Sequence, residues 1–522
     1  MLKFRALIPG ISIASIILVI LGTALFVLCS FAIRTGDLNV YFDSYLLHLV
    51  WVTVFQAALS TLLAIIFAIL LAKALSLVNF KGKALLLRFM PITFILPTLV
   101  VVTGILSVYG QQGLIAQILH YVGLPFSMSI YGLHGILLAH VFLNFPYACS
   151  LFYQTLASIP VEQKQLAAQL NFSNFSYFKL IEWPQLLRQL FPIASLIFML
   201  CFSSFAIVLA LGGGPKYTTI EVAIYQSIRN FELMQAVVLS GLQLMCCLSF
   251  MWLMQKISRI KKVNMQFAGA DYKLPVSCKL RWLSSAIIVI GGLFIFTPIV
   301  TILIEGINAL HLSLFNTALK RAINYSIVIA FASAITSIIF AGLLLWTNSR
   351  LLIMQQIKWS NRLMLVGSLI LAIPSMVLGA GLFLLLFDYM NNVVFVCLLM
   401  ILCNSLMALP YVLKKLAIPM YDVTSRYWLL SQSLNITGFK HLYLIEYKAL
   451  KPVLAKSFAF AFILSQGDFG IIALFGGRAV TTLPYYLYEQ ISHYHYQQGM
   501  VTASILLVLS FSFMVVLDYD RT

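Results

Sequence analysis

The chain has 522 residues, of which 62% are hydrophobic and 9% charged, against about 25% charged in an ordinary soluble domain. That balance excludes a soluble globular protein. The net charge of +18 does not point to nucleic acid, because the basic residues are scattered through short loops and form no single patch among stacking aromatics.

In chain order, apolar stretches of about 20 residues, the length that crosses a bilayer, fall near residues 8–33, 46–72, 86–109, 130–155, 189–211 and 234–255. They continue near 283–305, 322–346, 363–387, 393–413, 453–475 and 499–517. The first follows Lys3 and Arg5. It has no small-residue cleavage site after it and is read as a retained helix, not a secretory signal. Seven of the eight cysteines lie inside these spans without a CxxC pair or a suitably spaced His, so they read as small packing residues. The expected fold is all-α, a polytopic membrane helix bundle of about 12 transmembrane helices. In the third and ninth spans Pro97 precedes Gly104 and Pro374 precedes Gly381 by the same interval. Such pairs loosen a helix and are candidate hinges, although Pro and Gly are common in membrane helices in any case.

Between spans four and five, hydropathy falls while helical patterning persists from Ser158 to Asn171. Pro160 suits the opening of a helix, Leu166 and Leu170 share one face, and Asn171 suits a left-handed terminus. The expectation is a short amphipathic helix outside the membrane, with a copy over Arg426–Asn435 carrying Leu430 and Leu434. A lipid-resting interfacial helix is the plainer alternative, but it gives no reason for recurrence in the same place. After span five, Gly212-Gly213-Gly214-Pro215-Lys216 has the flavour of a phosphate loop. Its order does not match Gly, four residues, Gly-Lys-Ser/Thr, and it reads as a tight turn echoed by Gly476-Gly477.

Asp468 is the acidic residue placed well inside a span, and it should face a cavity or a partner. It is a candidate for the substrate path, or else a hydrogen-bonded structural Asp at a Gly-flanked break. Ser203 and Ser204 hold the matching place in the first half, making Ser204 a second candidate. His493 and His495 find no further metal ligands and read as surface residues. No catalytic, cofactor-binding or metal residue is assigned.

If the spans alternate from a cytoplasmic N-terminus, only Arg34, Lys216, Arg229, Lys320, Arg321 and Arg478 of the 33 Lys and Arg residues lie outside. This asymmetry places both termini in the cytoplasm. It leaves 34–45, 110–129, 212–233 and 476–498 as outward loops.

Shifting the chain against itself by 264 residues aligns Pro146-Tyr147 with Pro410-Tyr411 and Leu170-Asn171 with Leu434-Asn435. The same register brings Leu180-Ile181-Glu182 onto Leu444-Ile445-Glu446, Phe205 onto Phe469, and Gly212-Gly213 onto Gly476-Gly477. A gapless match of Pro, Asn, Glu and paired Gly marks a duplication. Two parallel six-helix repeats are expected, at 1–255 and 282–522, joined by a basic cytoplasmic linker at 256–281 that suits contact with lipid headgroups.

The loop after span four resembles the EAA loop of ATP-binding-cassette importer permeases: Glu-Ala-Ala, three residues, Gly, nine residues, Ile, one residue, Leu-Pro. Gln165-Leu166-Ala167, Asn171, Ile181 and Trp183-Pro184 keep that spacing. In the second half Leu429-Leu430-Ser431, Asn435, Ile445 and Tyr447-Lys448 keep the places with more altered letters and no final Pro. The resemblance implies docking of each loop on an ATPase subunit.

The fused twelve-span plan and Leu211-Gly-Gly-Gly-Pro-Lys-Tyr-Thr-Thr-Ile-Glu-Val-Ala-Ile-Tyr-Gln226 resemble the permeases of thiamine importers in particular. That likeness implies an inner-membrane subunit with two ATPase copies, ATP and magnesium held on those partners, and a periplasmic binding protein delivering thiamine or its phosphates. Iron(III) permeases share a similar fused plan and are the alternative. An ion-coupled secondary transporter fits less well, because such proteins bury carboxylates in several spans.

Overall fold

The computed structural model describes residues 7–35, 44–125, 129–257, 277–310, 317–436, 438–477 and 480–518. Lys3, Arg5, Arg478, most of the 256–281 linker and much of the 34–45 loop lie outside the described residues. The first half comprises α1 (Ile8–Thr35), α2 (Ser44–Leu77), α3 (Lys83–Thr93), α4 (Thr98–Tyr109), α5 (Leu114–Tyr121) and α6 (Leu133–Ala157). It continues through α7 (Val161–Gln169), α8 (Trp183–Phe202), α9 (Ala206–Leu211), α10 (Ile220–Arg229) and α11 (Leu233–Ile257). In the second half are α12 (Cys278–Asn308), α13 (Thr317–Ile353), α14 (Ile357–Ser368), α15 (Ser375–Leu386) and α16 (Val393–Ser433). They are followed by α17 (Lys448–Gly467), α18 (Gly470–Phe475), α19 (Leu483–Ser492) and α20 (Tyr496–Asp518).

The protein is an all-α membrane bundle. Ten described helices are long and apolar enough to cross a bilayer, and the sharply bent pair Ile357–Ala372 and Ser375–Tyr389 makes an eleventh. The remaining expected span, 453–475, is built as α17 and α18, parted where Asp468 turns to an extended ψ of 127°. Its first-half counterpart, 189–211, is likewise split into α8 and α9 at Ser203–Phe205.

Pro97 and Pro374 stand not inside continuous helices but immediately before α4 and α15. A proline keeps the residue before it out of helical geometry, and Ile373 is accordingly extended at ψ 113°. The second break turns the chain by 89°.

The halves interlock. α2 packs along α6 and α13 along α16, but α1 crosses to lie against α13 and α15, while α12 lies against α2 and α4. Gly381 in α15 and Gly104 in α4 are two places where crossing helices approach closely. A Cβ at Gly381 would stand 2.6 Å from the Ala24 carbonyl oxygen of α1, and one at Gly104 would stand 2.9 Å from Ile302 of α12. The two glycines, expected as hinge partners of the prolines, are thus seats for a helix of the opposite half.

Candidate functional site

The first candidate surface is the pair of segments outside the apolar spans. Pro160 precedes α7, and Ser158–Pro160 parts α7 from α6. In the second half the position of Pro160 is held by Thr424, and α16 runs unbroken for 41 residues to Ser433. The expected separate helix over Arg426–Asn435 is instead the end of a long rod that also passes through Pro410 and Pro419. Both segments end alike. Asn171 and Asn435 adopt left-handed φ values of 50° and 53°. Phe172 N–H donates to the Ala167 carbonyl at 3.0 Å and Ile436 N–H to the Ser431 carbonyl at 2.8 Å, the six-to-one bond of a Schellman terminus.

That shared geometry sets which faces point outward. Ala167 and Ser431 are buried, while Leu166, Leu170, Leu430 and Leu434 are 55%, 58%, 53% and 60% exposed. Gln165 is exposed as well, whereas Ile181 and Ile445 are half-buried against the bundle in matching π-helical turns, Phe178–Glu182 and Leu442–Tyr447. Pro184 occupies the first turn of α8, where its missing N–H costs nothing.

The second candidate is a cavity of about 720 Å³ between the halves, in the size range of small-molecule sites. Asp468, Ser203, Asn404, Ser465, Tyr411 and Lys414 supply its polar wall, and Met199, Phe250, Met251, Met254 and Met407 much of the apolar one. Along α8 the wall runs from Pro192 to Ser203, about 16 Å at helical rise, so the cavity extends from the middle of the bundle toward the α7 end. Asp468 lies at its deep end and accepts the Ile471 N–H at 3.1 Å. It both lines the cavity, as an acid inside a span should face a cavity or a partner, and caps α18. Ser203 lines the cavity, whereas Ser204 is buried beside it and does not.

Immediately past Ser204 and Asp468, Phe205 and Phe469 stack with centroids 5.5 Å apart and planes 14° from parallel. These two residues share the 264-residue register of the sequence, and here they meet each other. Tyr225 packs edge-on to Phe205 at 5.2 Å, and Tyr488 against Phe469 at 5.0 Å. Arg229 bridges the halves, donating to the Tyr225 and Tyr485 hydroxyls at 3.3 Å each. The alignment of Phe205 with Phe469 was the available signal for this closure.

The expected outward loops 212–233 and 476–498 hold α10 and α19, most of whose residues are buried. Gly213 and Gly214, with φ of 69° and 122°, form the turn before α10. Glu221 in α10 is fully buried and accepts from Gln243 Nε2 at 2.8 Å, a second internal carboxylate that hydropathy assigned to a loop. His493 follows α19 at its end, and His495 contacts Gln490.

Residues 60–262 match the family described as binding-protein-dependent transport system inner membrane component. The chain is 42% identical over 514 residues to the thiamine transport system permease protein of Salmonella typhimurium, covering 98% of this chain and 96% of that one. It is 43% identical to the Escherichia coli protein of the same name, with the same coverage. Identity to the Haemophilus influenzae counterpart is 41% over 506 residues, 96% of this chain and 93% of that protein. With likeness of this extent over the whole bundle, the chain belongs to the thiamine transport system permease family of binding-protein-dependent inner-membrane components.

Proposed function

We propose that this chain is the translocation subunit of an ATP-driven importer that receives thiamine, and its phosphates, from a periplasmic binding protein and releases it to the cytoplasm. In this reading both termini are cytoplasmic, α7 and the end of α16 each dock one copy of an ATPase subunit, and ATP with magnesium is held there and not by this chain. The observation that carries it is the pair of projecting segments: equivalent places in the repeat, matching left-handed ends and outward leucines. A lone lipid anchor has no reason to repeat that design.

The cavity supports the substrate. Thiamine is a cation, and Asp468 with Tyr411 and Phe250 in the same wall offers charge and aromatic faces, the groups that hold a desolvated cation. The cavity extends toward the coupling segments, and Ser203 and Asp468 of its wall lie close in the chain to the Phe205–Phe469 stack, an arrangement suited to an inward-facing state with the outer gate shut. Cycling would need that stack to part as the ATPase subunits close.

The test is uptake of radiolabelled thiamine into cells lacking their own thiamine importer and supplied with this chain, its ATPase and its binding protein. Labelled iron(III) runs in parallel. Saturable thiamine uptake is the expected result; iron uptake without thiamine would overturn the substrate. Uptake persisting without the ATPase would point to ion coupling.

A further inference from the structure

Two ion pairs on buried glutamates join elements the chain places far apart. Lys73 of α2 contacts Glu182 at 2.5 Å, and Arg350 of α13 contacts Glu446 at 3.2 Å. Glu182 and Glu446 are repeat equivalents, each in the π-helical turn that follows a coupling segment. The extra residue of a π turn re-aims a side chain, and here both carboxylates point inward, 4% and 0% exposed. The basic partners do not share one register, Arg350 standing about one helical turn further along α13 than Lys73 along α2, but each lies near the inner end of the long second helix of its half.

The surroundings reinforce both contacts. Lys73 also lies over the rings of Tyr177 and Phe178, at 5.6 and 5.8 Å. Glu446 additionally accepts from Thr424 at 3.1 Å and contacts His441 at 3.2 Å. Arg350 stacks over Trp346 and donates to its carbonyl. Buried ion pairs contribute little net stability, because desolvation offsets their attraction, yet losing one partner strands a charge. Their effect is geometric: the turn and the long helix must move together.

The far ends of the same long helices make a second equivalent contact. Thr53 of α2 accepts the N–H of Ile220, the first residue of α10, at 3.0 Å. Ser326 of α13 accepts the N–H of Leu483, the first residue of α19, at 2.6 Å. Thr53 and Lys73 are separated by about 30 Å of helix, and Ser326 and Arg350 by about 36 Å. Helices α10 and α19 carry Tyr225 and Tyr488, which brace the Phe205–Phe469 stack.

We infer that α2 and α13 are push-rods, latched to the coupling turns through Lys73–Glu182 and Arg350–Glu446 and to the outer helices through Thr53 and Ser326, carrying ATPase movement to the outer gate. This rests on the permease reading. These are positioning residues that touch neither substrate nor nucleotide. The whole complex, with its ATPase, is reconstituted in phospholipid vesicles and driven by thiamine-loaded binding protein. ATP hydrolysed per thiamine taken up is measured, together with stimulation of ATP hydrolysis over its basal rate.

Glu182→Gln, Glu446→Gln and Thr53→Val are each expected to raise ATP consumed per thiamine at least about threefold, the lower range for changes within a coupled network. Basal hydrolysis should persist while stimulation by the binding protein shrinks. The exchange Lys73→Glu with Glu182→Lys should restore the ratio lost in Glu182→Gln. Assembled single variants with the wild-type ratio, or an exchange as uncoupled as Glu182→Gln, would overturn the inference. Should Glu446→Gln fail to assemble, the Glu182→Gln and Thr53→Val complexes decide. Failure of the thiamine reading looks different: the wild-type complex itself takes up none, and the variants are then judged by loss of binding-protein stimulation alone.

Discussion

Truncating the outward leucines measures how much each coupling segment contributes to docking. Burying a whole Leu side chain gains about 1.5–3 kcal/mol, and Leu166 and Leu170 retain 55% and 58% exposure, so complete coverage by a partner gains about 1–1.5 kcal/mol each. Leu166→Ala with Leu170→Ala should therefore cost about 2–3 kcal/mol, weakening ATPase association roughly 30- to 150-fold. Leu430 and Leu434, at 53% and 60%, present nearly the same area, so Leu430→Ala with Leu434→Ala should cost as much. The assay is titration of purified ATPase onto the permease in lipid nanodiscs, with circular dichroism to verify folding. Affinity within about twofold of wild type for either double variant would refute docking by that face. A large loss for the first-half pair alone would mean that the altered second loop, despite equal exposure, does not bear the partner.

The remaining predictions concern the cavity and the packing. Asp468→Asn should lower thiamine uptake about tenfold while leaving basal ATP hydrolysis intact, since a unit-charge contact at 4 Å near a partly wet wall is worth about 4 kcal/mol before desolvation; uptake assays with the purified complex check it. Gly381→Ala should be worse tolerated than Gly104→Ala, because the new Cβ meets the Ala24 backbone at 2.6 Å in one case and the flexible end of Ile302 at 2.9 Å in the other. Overpacking of the first kind costs about 1–3 kcal/mol, read as a lower melting temperature in detergent. Thr424→Pro, placing in α16 the residue that parts α6 from α7, should destabilise by about 3 kcal/mol or more. It removes a helical donor and the Thr424 contact to Glu446, and is read by the same melting assay.

Much of the site was legible in the letters because it is written locally. Leu166, Leu170 and Asn171 sit within a few residues of one another, so spacing alone predicted a helix with one apolar face and a left-handed end, and the observed φ of 50° at Asn171 agrees. The repeat was legible for a similar reason: a register of Pro, Asn, Glu and Gly needs no coordinates, and it had already laid Phe205 on Phe469 and Glu182 on Glu446. At the place of Pro160 the second half carries Thr424, and there α16 runs on as a single helix.

What composition, periodicity and repetition determined by themselves is the environment, the helical class, the duplication and the projecting segments, since each follows from backbone propensity or from transfer into a bilayer along one stretch of chain. Only the tertiary structure decided that Gly104 and Gly381 seat helices from the opposite half, that Ser203 and not Ser204 lines the cavity, and that α10 tucks Glu221 into the bundle while Tyr225 and Tyr488 pack on the Phe205–Phe469 stack. It alone also decided that Lys73 and Arg350 reach the two buried glutamates. Hydropathy reports how a segment prefers water or lipid, and an apolar helix satisfies that preference against lipid and against another helix alike. Which neighbour it takes is chosen by shape at close approach and by the need to partner every buried charge, and both depend on residues far away in the chain.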